Sequence, residues 1–166
     1  MPVYLKKIDV FDELTANKSV LIVSCRVCPA ISLAVESKRP YIEFFRRFLK
    51  TGVFYEYIKS IQKFLKEKGI KTEVFESNFP IPMVCMWSAG QRKKLLKCAR
   101  QYETVVVLGC DSATYTVKES LKSTGCHIIQ AMKVVGIVSV IPRFHLPFNI
   151  TLESSSKDNV SWPDLR

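Results

Sequence analysis

Apolar positions along this chain follow two alternating rhythms: short unbroken runs, and stripes that recur every three or four residues. Ser19-Val20-Leu21-Ile22-Val23-Ser24, between Lys18 and Cys25, is an unbroken β-branched run of the kind found in a strand buried on both faces. After Pro40, the residues Tyr41, Phe44, Phe45 and Phe48 recur at helical spacing with Arg46, Arg47 and Lys50 between them, and the pattern stops at Gly52. Phe54, Ile58, Ile61 and Leu65 form a second helical stripe that ends at Gly69. Lys71 to Phe75 reads as a strand, and so does Ile81 to Met86 despite Pro80 and Pro82. Ser88-Ala89-Gly90-Gln91 has capping-box spacing, and Leu95, Leu96 and Ala99 supply the buried stripe of a helix running to about Tyr102. Thr104-Val105-Val106-Val107-Leu108-Gly109 is the clearest buried strand. Beyond it, Asp111 or Ser112 can cap a helix through Leu121, closed by Gly125. Cys126 to Gln130, Val135 to Ile141 and Phe148 to Leu152 read as the remaining strands.

Strands alternating with helices at this spacing predict an α/β fold, a Rossmann-like or flavodoxin-like three-layer sandwich whose sheet is mainly parallel, with an antiparallel element near the end. The 166 residues fit one domain. Its boundaries are set at 19–153, preceded by a 1–18 segment packing on the domain or on a partner, and followed by a flexible polar tail, 154–166, that contains Trp162. There is no internal repeat. Hydrophobic residues make up 48% and charged residues 24%, which excludes a disordered or fibrous chain.

Charge and targeting narrow the setting. Lys6, Lys7, Asp9, Asp12 and Glu13 interrupt the N-terminal segment, so no signal peptide is expected. The longest apolar run, Val134 to Pro142, is too short for a membrane span. The expectation is a cytoplasmic protein without membrane insertion. There the glycosylation patterns at Asn149 and Asn159 carry no meaning and the six cysteines are not structural disulfides. The formal net charge of +10 favours an acidic partner.

The cysteines acquire meaning from the fold. In an open parallel sheet, ligands bind beyond the carboxyl ends of the strands. Cys25 ends the first strand, Cys28 follows at Cys-x-x-Cys spacing, Cys85 ends the Ile81 to Met86 segment, and Cys110 follows the strongest strand. All four are expected at one sheet edge. Cys98, inside a helix, and Cys126, at the opposite edge, are read as structural. Four converging thiols suit an iron–sulfur cluster, with zinc as the alternative. Zinc sites usually pair two Cys-x-x-Cys knuckles, whereas one close pair plus two distant cysteines fits a 4Fe-4S cubane. A redox pair at Cys25 and Cys28 is a further reading, and so is simple burial of Cys85 and Cys110.

Arg26 lies within the motif. Arg92, Lys93, Lys94, Lys97 and Arg100 give the segment from Ser88 to Tyr102 a charge of +5 with no acidic residue, either an ordinary solvated helix face or a docking face for a larger protein. The glycine-rich phosphate-binding motifs are absent, and neither His127 nor His145 has metal-type spacing. Helical spacing makes Tyr41, Phe44, Phe45, Phe48, Phe54, Tyr55 and Tyr57 core residues rather than a nucleic-acid stacking surface. No catalytic constellation can be picked out.

The stretch from Val105 through Leu108-Gly109-Cys110-Asp111-Ser112 to Thr116-Val117-Lys118 resembles a motif of the small iron–sulfur subunit of methylenetetrahydrofolate reductase from anaerobes, in which a hydrophobic strand enters a Cys-Gly-x-Gly turn and a helix begins near a Thr-Val pair. Asp111 and Ala113 stand where that family has glycines. Ser24-Cys25-Arg26-Val27-Cys28 resembles a shortened form of its N-terminal cysteine cluster. The resemblance implies Cys25, Cys28 and Cys110 as cluster ligands; Cys85 joins them on expected geometry alone. It also implies a non-catalytic, cluster-bearing partner of a one-carbon enzyme, in the neighbourhood of a corrinoid- or pterin-dependent methyltransferase. The expected function is therefore redox sensing or electron transfer by an iron–sulfur accessory protein. A basic nucleic-acid-binding regulator and a small thiol oxidoreductase using Cys25 and Cys28 are the alternatives.

Overall fold

Ser19–Ser24 and Thr104–Leu108 (β2 and β5) carry β-branched side chains at nearly every position, and such strands are stable only when both faces are covered. In the computed structural model, which describes residues 2–43, 52–76, 81–145 and 149–154, they are the two central strands of a four-stranded parallel sheet. Lys71–Phe75 (β4) flanks β2 and His127–Gln130 (β6) flanks β5, giving the order β4-β2-β5-β6. Numbered among themselves, the parallel strands lie 2-1-3-4, the beginning of a doubly wound order of flavodoxin type. The fold is the expected α/β sandwich.

Alternate residues of the central strands serve opposite layers. Val20, Ile22, Val106 and Leu108 pack with Ala30 and Leu33 of α2 (Cys28–Ser37) and with Phe54, Ile58, Ile61 and Leu65 of α3 (Gly52–Glu67). On the other face, Leu21, Val23, Val105 and Val107 pack with Leu95 and Ala99 of α4 (Ala89–Ala99) and with Ala113, Val117 and Leu121 of α5 (Asp111–Leu121). Each fully buried Leu, Ile or Val of this kind contributes about 1.5–3 kcal/mol relative to exposure. The capping box forms as expected: Ser88 Oγ accepts from the Gln91 amide, and the Gln91 side chain accepts from the Ser88 amide.

Two small antiparallel sheets complete the chain. Val3–Lys7 (β1), followed by the single turn of α1 (Phe11–Thr15), pairs with Met132–Ile137 (β7). Ile42–Glu43 (β3), Asn149–Ser154 (β9) and Val140–His145 (β8) form a three-stranded sheet in the order β3-β9-β8.

Several expectations change. Ile81 to Met86 is not a strand: it holds a 3-10 turn at Val84–Met86, and Pro82, lacking an N–H, cannot sustain a ladder there. The single strand expected from Val135 to Ile141 is two strands in different sheets: Val138 is buried and its N–H donates to the Pro2 carbonyl (3.2 Å), staying with β1, while the chain from Val140 pairs with β9. Cys110, rather than Asp111 or Ser112, is the N-cap of α5. The expected helix from Tyr41 begins instead with β3, and its remaining positions lie outside the described residues, as do 155–166 with Trp162. No helix among the described residues is long and apolar enough to cross a membrane.

Candidate functional site

The connections after β2 and β5 leave the sheet in opposite directions, β2 into α2 on one face and β5 into α5 on the other. Adjacent parallel strands whose connections diverge open a crevice at their carboxyl ends. Ser24-Cys25-Arg26-Val27-Cys28 forms one wall and Gly109-Cys110-Asp111 the other.

Cys25 follows β2 directly and is 1% exposed; its amide donates to the Leu108 carbonyl (2.9 Å), extending the β2–β5 ladder by one residue. Gly109 is required by close approach. A Cβ there would lie 2.8 Å from the Ala113 Cβ and 3.4 Å from the Cys25 Cβ, so only a hydrogen fits beneath the first turn of α5. Cys28 is the first residue of α2 and Cys110 the N-cap of α5, both half-buried. The two helix N-termini thus meet the crevice, where the helix dipoles favour negative charge. Cys85 is exposed on the 3-10 turn, which packs on α5; Val84 beside it is fully buried.

The four sulfurs share one electrostatic neighbourhood. Burial pushes the Cys25 thiol up to about 11; the Val84 and Val27 amides directed at it pull it down, and the Cys28 and Cys85 thiols raise it again. Burial also raises Cys85, with Cys110 and Cys28 adding to the effect. Cys25 thus senses Cys28 and Cys85, and Cys85 senses Cys110 and Cys28. Among the described residues, however, no three His, Cys, Asp or Glu side chains stand as a ready metal-ligating group.

The neutral, buried Cys25 is a poor match for an attacking thiolate, which a Cys-x-x-Cys oxidoreductase needs at low pKa. As ligands, by contrast, thiols are deprotonated by the metal itself, with release of protons. Arg26 is engaged with Glu76 (3.3 Å). Asp111 accepts from the Gln130 side chain (2.9 Å) and is held toward β6.

The other candidates lie elsewhere. Cys126 precedes β6 at the amino edge, its thiol donating to the Tyr102 (3.2 Å) and Ala99 (3.4 Å) carbonyls, and Cys98 is half-buried on α4. His127 pairs with Glu13 (3.0 Å), and His145 closes β8 beside the Thr151 hydroxyl (2.9 Å). Lys93, Lys94, Lys97 and Arg100 are exposed with no acidic partner among the described residues, while Arg92 is half-buried and donates to the Trp87 carbonyl (3.2 Å). Two features had no sequence signal. Met86 and Tyr115 are 58% and 67% exposed, one beside Cys85 and one on α5, and exposure of a lone apolar residue cannot be read from periodicity. Compared with protein-family models, curated proteins and solved structures, the chain has no match.

Proposed function

We propose that this protein is an iron–sulfur accessory protein whose cluster is held by Cys25, Cys28, Cys85 and Cys110. The observation that carries the reading is the position of four thiols around a switch-point crevice, on three separate connections, with two helix N-termini facing them. A cubane held by four thiolates is anionic, and helix N-termini stabilise it. One Cys-x-x-Cys pair with two distant cysteines suits a cluster better than zinc, whose sites usually pair two such knuckles; zinc is the second reading. The cluster's role in this reading is electron transfer or redox sensing.

The exposed cations of α4 and the exposed Met86 and Tyr115 suit docking on a larger protein with an acidic surface. By the resemblance of the Cys110 turn, that partner is an oxygen-sensitive enzyme of one-carbon or corrinoid methyl transfer. Anaerobic purification, followed by iron and sulfide analysis and a visible spectrum, tests the cluster. A brown protein with about equal iron and sulfide is expected. A colourless protein that contains zinc would favour the second reading, and one without metal would remove both.

A further inference from the structure

Far from the thiol crevice, α2 ends in a Schellman motif: the Arg39 amide donates to the Ala34 carbonyl and the Lys38 amide to the Val35 carbonyl, both at 3.3 Å. The residue that turns the chain is Lys38, at φ 52°, the only residue other than glycine with a left-handed backbone among the described residues. Glycine is the usual occupant, because a side chain there crowds its own carbonyl. A cation benefits a helix C-terminus equally from the preceding turn, where no strain arises. The dipole therefore does not explain a lysine at this position.

Its surroundings offer an explanation. Lys38 lines a groove of about 710 Å3 between the end of α2 and the β8–β9 ribbon, within the range of roughly 300–1,000 Å3 typical of small-molecule sites. Val35 and Leu152 line it with apolar residues, and His145 and Thr151, hydrogen-bonded to each other (2.9 Å), line it as a polar pair. The other charges are already matched: Arg39 is held by Glu56 (2.6 Å) and Glu153 by Arg143 (3.0 Å). Lys38 has no acidic partner among the described residues, so the groove presents an uncompensated cation beside hydrogen-bonding groups and an apolar surface.

We propose that this groove binds a small organic anion, its phosphate or carboxylate on Lys38 and on the Thr151 hydroxyl, which His145 orients through its ring nitrogen, and its apolar body against Val35 and Leu152. The site is independent of the thiol crevice. Amide-resolved NMR titration of the folded protein with phenyl phosphate, benzoate and inorganic phosphate tests it. Expected are shifts at Lys38, Arg39 and Thr151 through Glu153, with one of the two organic anions binding at least about tenfold more tightly than inorganic phosphate. Which organic anion binds better identifies the headgroup. Lys38→Gly gives the sharper result: a higher melting temperature, because strain is relieved, together with about tenfold weaker binding. His145→Gln should weaken binding without raising the melting temperature. The proposal is overturned if no shifts reach this region by about 10 mM ligand, if inorganic phosphate binds as well as both organic anions, or if Lys38→Gly binds as tightly as the native chain.

Discussion

The two edges of the parallel sheet are built from opposite materials. At the amino edge, polar groups tie neighbouring connections together: the Lys18 amide donates to Glu103 (2.9 Å), the Glu103 amide to Ser19 Oγ (3.0 Å), and the buried Thr104 hydroxyl to Asn17 Oδ1 (2.6 Å). The Cys126 thiol belongs to this edge and donates to backbone carbonyls. At the carboxyl edge the corresponding positions are cysteines, and the Arg26 amide reaches the Pro82 carbonyl of the 81–86 segment at a long 3.5 Å. One edge stabilises the sheet through side-chain hydrogen bonds between its connections; at the other, soft, ionisable thiols stand at the strand ends, with the Val27 and Val84 amides directed at Cys25. The difference explains why the same residue type is structural at Cys126 and a ligand candidate at Cys110.

Exchanging the roles of those two cysteines should produce the largest contrast. Cys110→Ser is expected to abolish iron uptake during anaerobic reconstitution, whereas Cys126→Ser should retain it; equal iron contents would end the distinction between the edges. Alkaline unfolding comes next. The Cys25 thiol is raised from 9.0 to about 11 in the folded chain, so the unfolded state loses its proton first. The stability contributed by the neutral buried thiol is complete below pH 9 and falls away as pH rises toward about 11, by roughly 2–3 kcal/mol in the metal-free protein. Denaturant titrations of Cys25→Ala across that window should lose this slope. The smallest effect belongs to the amino edge: Thr104→Val removes a buried hydrogen bond and should cost about 1 kcal/mol in chemical denaturation while leaving iron content unchanged.

How much of this was legible in the sequence depended on whether a signal was local. The runs at Ser19–Ser24 and Thr104–Leu108 declare their burial through their own side chains, and the capping box is complete within Ser88 to Gln91. Those elements, and hence the sheet edge carrying Cys25 and Cys110, could be read directly. β1 could not: it exposes Lys6 and Lys7, and its ladder is supplied by β7 from the far end of the chain. The 81–86 segment misled because Val84 is buried in the core from a 3-10 turn instead of from a ladder. Lys38 was silent as well, since the strain lies in its backbone and not in its residue type.

The pairing of β1 with β7 also sets a timetable. Leu5 is 1% exposed and packs in the same core as α2 and α3, and the Leu5 amide donates to the buried Ser32 hydroxyl (2.9 Å). Yet its ladder partner Val134 is synthesised more than a hundred residues later, a wait of roughly 6–25 s on the ribosome at about 5–20 residues per second. Throughout that interval β1 lacks its ladder partner, so the pairing that completes this part of the core is a long-range contact.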